Sequence, residues 1–353
     1  MRLSSVSRAV FAAALPVLGV VLSSSACAQE APSPMGPPPA SDAPAPDPIL
    51  PGAGQTLRVQ VNLVNTYFSA RDKGGFLTGL HQDDCALTEN GEPQTIKSFT
   101  QEKKLPLTIG ILLDTSGSQM NVLPLEQESG STFLKDVLTP KDEAFLISFD
   151  VNVDMLADYT NSAAELRRAL NRAEINTGVT SGSVTGNSTP RGTLLYDAVY
   201  LATHEKLHDE AGRKVIVMLT DGGDQGSQNK LKDAIEAAQK ANTIVYVILI
   251  SDTGRFGFGM GYPTYSIGNP VGDMDKLARE TGGRVINVGR DGRKLDDAFA
   301  QISDELRTQY LLSYTPKNQK FDGTFRNIAI SCGKDVKIQA RKGYYAMADS
   351  NTE

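Results

Sequence analysis

The chain has 353 residues, enough for two folded units, with a formal net charge of −6 and three cysteines. Acidic and basic residues are interspersed, and the absence of any basic stretch or stripe speaks against a nucleic-acid partner.

Residues 1–28 carry the pattern of an export signal. Arg2 and Arg8 precede an apolar segment, Ala9–Leu22, that is short for a bilayer span, and Ala26-Cys27-Ala28 is a small-x-small cleavage pattern. The mature chain is thus expected to carry no transmembrane helix and to reside in the periplasm or outside the cell. Two alternatives stand beside this: an uncleaved anchor, and a lipid anchor at Cys27, although Ser24 sits where lipoprotein signals usually have Leu. Export leaves Cys85 and Cys332 in a compartment where thiols pair.

Residues 29–55 are dominated by Pro and Ala and read as an extended, semi-rigid spacer. Thr56–Asn65 then alternates Leu57, Val59, Val61 and Leu63, the period of a half-buried strand. Turns are expected at Asp72–Gly75 and at Glu89-Asn90-Gly91-Glu92, the Asn-Gly pair being a hairpin signal. Residues 56–104 are therefore β-structure, too small to be stable alone.

From Leu105 the pattern changes. Expected strands at Leu107–Leu113, Glu143–Phe149, Lys214–Thr220 and Thr243–Ile250 alternate with helices at Ala163–Arg172, from Leu195, at Lys230–Lys240, Met274–Glu280 and Asp296–Leu306. Residues 105–307 therefore predict a doubly wound, mainly parallel α/β sheet of Rossmann-like type. Residues 308–347 return to β, with strands at Tyr310–Tyr314, Phe325–Cys332 and Val336–Ala340, before a short tail at 348–353. The economical reading inserts the α/β unit into one small all-β domain built from both flanks. A Cys85–Cys332 bond would tie its halves and, by closing so long a loop, stabilise them. Two free buried thiols are the alternative, since a sequence does not fix Cβ separations.

The functional signal lies where the apolar run Leu107–Leu113 stops at Asp114 and continues as Thr115-Ser116-Gly117-Ser118. An apolar run of this kind reads as a strand buried on both faces, which puts Asp114 at the carboxyl end, where open α/β sheets bind ligands. One carboxylate and two hydroxyls at alternate positions suit a hard cation such as Mg²⁺.

These residues resemble the metal-ion-dependent adhesion site of the von Willebrand factor type A (vWA) domain, whose motif is D-x-S-x-S. Arg191-Gly192-Thr193-Leu194-Leu195-Tyr196-Asp197 resembles the threonine segment of that family, and Leu219-Thr220-Asp221-Gly222-Gly223 its second aspartate segment. The wider chain, Leu57–Tyr345, is similar to the secreted bacterial "VWFA-related" proteins of the Acidobacterial type. The landmarks are Glu89-Asn90-Gly91, Thr281-Gly282-Gly283-Arg284, Gln309–Tyr314 and Arg341-Lys342-Gly343-Tyr344-Tyr345. The resemblance implies a ligand set of Asp114, Ser116, Ser118, Thr193 and Asp221 around Mg²⁺, Mn²⁺ or Ca²⁺. It also implies an open coordination position that takes an Asp or Glu from a protein partner. That is adhesion or assembly chemistry rather than catalysis, with no general base poised beside a nucleophile.

Two long loops flank this edge, Asn176–Gly192 and Ser251–Asp273. The second carries Phe256, Phe258, Met260, Tyr262 and Tyr265, read either as an apolar partner-binding rim or as side chains folded over the sheet edge. His204-Glu205-Lys206-Leu207-His208 matches HExxH, the pattern of a zinc hydrolase. At about 100° per residue, however, Leu195, Val199 and Ala202 form the buried stripe of that helix, and both histidines fall opposite. An aspartyl-phosphate enzyme would want a second acid where Ser116 stands. The alternatives to a metal-dependent binding module are therefore a zinc hydrolase using HEKLH and an envelope scaffold that needs no ion.

Overall fold

In the computed structural model, residues 63–102, 105–176, 192–250 and 269–347 are described. The expected signal, spacer, tail and rim aromatics Phe256, Phe258, Tyr262 and Tyr265 lie outside these residues. The N-terminal flank supplies β1 (Val64–Asp72), β2 (Gly75–Phe76), β3 (Cys85–Glu89), β4 (Glu92–Gln94) and β5 (Ile96–Gln101). The α/β part runs β6 (Leu107–Asp114), α1 (Leu123–Val137), β7 (Glu143–Phe149), β8 (Val153–Thr160), α2 (Ala163–Leu170) and α3 (Leu195–Leu201). It continues with β9 (Arg213–Thr220), α4 (Leu231–Lys240), β10 (Thr243–Leu249), α5 (Pro270–Thr281), β11 (Val285–Asn287) and α6 (Gly292–Thr308). The C-terminal flank closes with β12 (Tyr310–Tyr314), β13 (Phe325–Cys332), β14 (Lys337–Ala340) and β15 (Gly343–Tyr345).

The α/β sheet has the order β11-β10-β9-β6-β7-β8, parallel throughout except for the antiparallel edge strand β8. Alternating side chains of one strand serve two cores, because successive Cβ atoms point to opposite faces. In β6, Ile109, Ile111 and Leu113 pack with α1, α2 and α6, while Leu112 packs with α3, α4 and α5. Gly110 lies under the Phe145 ring, where an added Cβ would meet it at 2.5 Å. The predicted central strands and helices are all present, α1 completing the turn that follows the serines. Strands β8 and β11 were not expected: β8 is a bulged edge strand without clean alternation, and β11 has only 3 residues.

The flanks pair with each other. One sheet has the order β14-β1-β12-β5, with β2 beside β1, and a second has the order β15-β13-β3-β4. The Asn90-Gly91 turn joins β3 and β4 with both residues at positive φ, as such tight hairpins require. Cys85 and Cys332 stand opposite one another in the β3–β13 register and are joined by a disulfide. Both flanks and the α/β sheet fall in one compact unit, Val59–Glu353. The first strand differs from the Thr56–Asn65 expectation, since β1 covers Val64–Asp72 and residues 56–62 lie outside the described ones. Its burial is not alternating either. Thr66–Ala70 are all buried, because Phe68 and Ala70 join the flank core while Tyr67 joins the α/β core.

The link between α5 and β11 sets a tight constraint. Gly282 ends α5 in the left-handed region at φ 92°, and a Cβ on Gly283 would lie 1.9 Å from the Val245 carbonyl oxygen of β10. No side chain fits there without moving the strand. Gly283→Ala is expected to destabilise the protein by about 2 kcal/mol or more, read as a lowered urea midpoint of the full chain.

Candidate metal centre

Parallel pairing of β6 with β9 brings the last residues of the two strands side by side, with Leu113 opposite Leu219. The chain leaves β6 for α1 on one face of the sheet and β9 for α4 on the other. The crevice between diverging connections is the usual ligand position in such sheets.

Asp114 is fully buried at that crevice. Its Oδ2 accepts from the Thr220 hydroxyl at 2.7 Å and its Oδ1 from the Ser116 amide at 3.0 Å. The Ser116 and Ser118 hydroxyls are 2.9 Å apart in the turn that follows, Ser116 buried and Ser118 exposed. Thr220 also accepts from the Gly222 amide, and Gly222 has φ 86°, which turns the chain so that Asp221 leaves the strand direction. The Asp221 carboxylate accepts from the Gly223 amide at 3.1 Å and remains half-buried.

Thr193 reaches the same edge by backbone bonds. It exchanges both of its main-chain hydrogen bonds with Gln225, in the loop that follows Asp221. The Asp197 carboxylate accepts from the amides of Gln228 and Asn229, and Asp224 accepts from the Tyr196 amide, so the start of α3 and this loop are laced together. Asp150 performs the same task on the other side. Its carboxylate accepts from the Thr115 hydroxyl and the Asn176 amide group, and its carbonyl accepts from the Leu194 amide. Asp114, Ser116, Ser118, Thr193 and Asp221 thus stand on three segments at one sheet edge. Asp150, Asp197 and Thr220, which hold them there, have no motif of their own and were not foreseen.

The electrostatics fit a cation. Burial first and Asp221 second push the Asp114 carboxyl up to about 7, against the lowering effect of the bonds from Ser116 and Thr220. Two carboxylates and three neutral hydroxyls are the kind of oxygen groups that hard cations such as Mg²⁺, Mn²⁺ and Ca²⁺ take. One further acid was missed. Glu126, in the first turn of α1, is buried with neither carboxylate oxygen hydrogen-bonded, and burial followed by Asp114 and Asp221 pushes it well above the usual carboxylate range. The signal for it was present in the sequence, as an acid on the apolar stripe Leu123, Gly130, Phe133, Leu134 and Val137 of its helix.

The HExxH pair does not converge. Leu195, Val199 and Ala202 are buried as the periodicity required, and the His204 and His208 side chains are 56% and 50% exposed. Their Nδ1 atoms bond Glu205 and Asp209, and the stretch Ala202–Leu207 is π-helical. Among the described residues no group of three or more His, Cys, Asp and Glu is arranged to hold a metal, so these histidines have no third ligand of that kind, which a zinc site would need.

The fold and site define a class: an α/β sheet protein with a cluster of oxygen donors at the carboxyl edge of two central strands. No protein-family model and no curated protein matches the chain. Solved structures similar to it are vWA domain proteins. Proximal thread matrix protein 1 of the mussel byssus has 14% identity and a TM-score of 0.46, over 62% of this chain and 51% of that one. The match thus spans about half the length of the mussel protein, which has also been solved with a zinc-occupied MIDAS motif. BatB from Bacteroides thetaiotaomicron has 17% identity and a TM-score of 0.40, over 57% of this chain and 99% of that one. The vWF domain of the pilus tip protein Mfa5 from Porphyromonas gingivalis has 14% identity and a TM-score of 0.42, over 57% of this chain and 95% of that one.

The raised Asp114 carboxyl gives a signed pH dependence. Its folded pKa lies above its unfolded value, so the native state holds the extra proton between them, and stability falls as pH rises through that window. The metal-free protein should therefore lose melting temperature between about pH 4 and pH 7. Asp114→Asn should flatten that slope, and added Mg²⁺ should oppose it, as thermal scans across the pH range will show.

Proposed function

We propose that this chain is an exported, metal-dependent protein-binding module of adhesion or assembly type. Asp114, Ser116, Ser118, Thr193 and Asp221 hold one divalent cation, Mg²⁺ or else Mn²⁺ or Ca²⁺. The observation that carries this reading is the buried Asp114 carboxylate, held by Thr220 and Ser116 and raised by Asp221 beside two hydroxyls 2.9 Å apart. When bound, the ion would supply Lewis-acid charge at the sheet edge, and the three hydroxyl donors, being neutral, would offset none of it. The chain's own residues fix the donors: Thr220 orients Asp114, Gly222 turns Asp221 out of β9, and the Thr193–Gln225 bridge brings the third segment in.

A partner's Asp or Glu is the group that such a site accepts. The donor set contains no base held against a nucleophile, which supports binding rather than catalysis. Export is supported by the N-terminal pattern around Arg2, Arg8 and Ala26-Cys27-Ala28 and by the Cys85–Cys332 bond, with the periplasm or the exterior as destination and Cys27 as a conceivable lipid anchor. The paired flanks act as a small β-domain bearing the α/β unit, and Phe256, Phe258, Tyr262 and Tyr265, outside the described residues, are the side chains proposed for apolar contact with the partner.

The test is a Mn²⁺ titration of the purified protein followed by electron paramagnetic resonance, with envelope capture in parallel. One Mn²⁺ per chain, displaced by Mg²⁺ and lost in Asp114→Ala, is expected, together with a partner released by chelator. Capture that survives both chelator and Asp114→Ala would overturn the reading in favour of an ion-independent scaffold. Stoichiometric zinc lost in His204→Ala would overturn it in favour of a hydrolase.

A further inference from the structure

On the loop and helix that follow Ser118, Glu126 and Gln119 are the buried polar side chains in which no polar side-chain atom has a hydrogen-bond partner among the described residues. Glu126 is 0% exposed and Gln119 1% exposed. Polar groups buried without partners are costly, more so when charged, and an orphan in a native fold usually marks an ion or water that belongs there. Gln119 follows Ser118 directly in the chain, and Glu126 lies in the first turn of the helix to which this segment leads. Helix α1 turns Glu126 inward because it shares the stripe of Leu123, Gly130, Phe133, Leu134 and Val137, and Asp114 and Asp221 lie within its electrostatic reach.

We propose that Glu126 is a third, outer carboxylate of the metal centre, acting as a positioning residue that accepts hydrogen bonds from water on the buried side of the cation. This rests on the metal-site reading above. An inner role is disfavoured, because no three acids, histidines or cysteines among the described residues converge as direct ligands. Hard cations of this class keep several waters, and those waters need acceptors that fix their orientation. Gln119, with a free amide carbonyl and NH₂, completes the same buried shell. The charge count gives the site a selectivity. Three carboxylates near one ion favour a divalent over a monovalent cation.

Two measurements on the purified full chain decide it: Mn²⁺ affinity by electron paramagnetic resonance, and melting temperature without metal. Glu126→Gln removes the charge and keeps the shape. It should weaken Mn²⁺ binding at least about tenfold, the usual cost of losing an outer-shell partner, while the metal-free protein melts at the same or a higher temperature. Glu126→Asp restores the carboxylate and should bind Mn²⁺ more tightly than Glu126→Gln. If Glu126→Gln does not fold, Glu126→Asp and Glu126→Leu are compared, and equal Mn²⁺ affinity for the two overturns the proposal. Glu126→Gln with wild-type affinity overturns it too. If Asp114→Ala abolishes Mn²⁺ binding in the same experiment, the failure is confined to Glu126. If Asp114→Ala binds as wild type, the metal-site reading itself has failed.

Discussion

The hydrogen bond from Thr220 to Asp114 is the point on which the candidate site depends. It joins the last residue of β9 to the last residue of β6, so it exists only because the two strands run parallel and in that register. A slip of one residue would exchange the faces of the strand and carry Asp114 away from Thr220. The register is secured in turn by cores on both faces of the sheet, where Ile109, Ile111 and Leu113 face one way and Leu112 the other. Packing of ordinary aliphatic side chains thus fixes the position of a carboxylate.

That carboxylate is placed against its own solvation. Asp114 is buried with Asp221 nearby, and Glu126 adds a third acid whose oxygens find no donor among the described residues. Concentrating acids in a buried crevice opposes folding unless something positive offsets them. Stability is given up locally in a fold whose remaining layers are densely apolar, and the disulfide between β3 and β13 adds a covalent constraint elsewhere.

The flanks are tied to the α/β layers by a second buried acid of a different kind. Glu305 of α6 accepts from Ser69 of β1, Gln339 of β14 and Arg284, so its charge is fully partnered. Glu89 is treated likewise, accepting from the hydroxyls of Tyr314 and Tyr344 near the buried Arg326. The contrast with Glu126 is instructive. Two buried acids are structural because donors surround them, whereas Glu126, without donors among the described residues, lies on the helix that follows the hydroxyl turn of the candidate site.

Local chemistry was enough to read much of this protein. Apolar runs ending in Asp marked the central strands, Asn90-Gly91 marked a hairpin, and the 3.6-residue period placed His204 and His208 on an exposed face. These signals are carried by neighbours in the chain, so they survive without the fold. Burial of β1 on both faces, the edge strand β8, and the roles of Thr220, Asp150 and Asp197 depend instead on which segments become neighbours in space. Glu126 lies between these cases. Its place on an apolar stripe was visible in the sequence, but its lack of a partner among the described residues was decided only when α1 packed into the core on one face of the sheet.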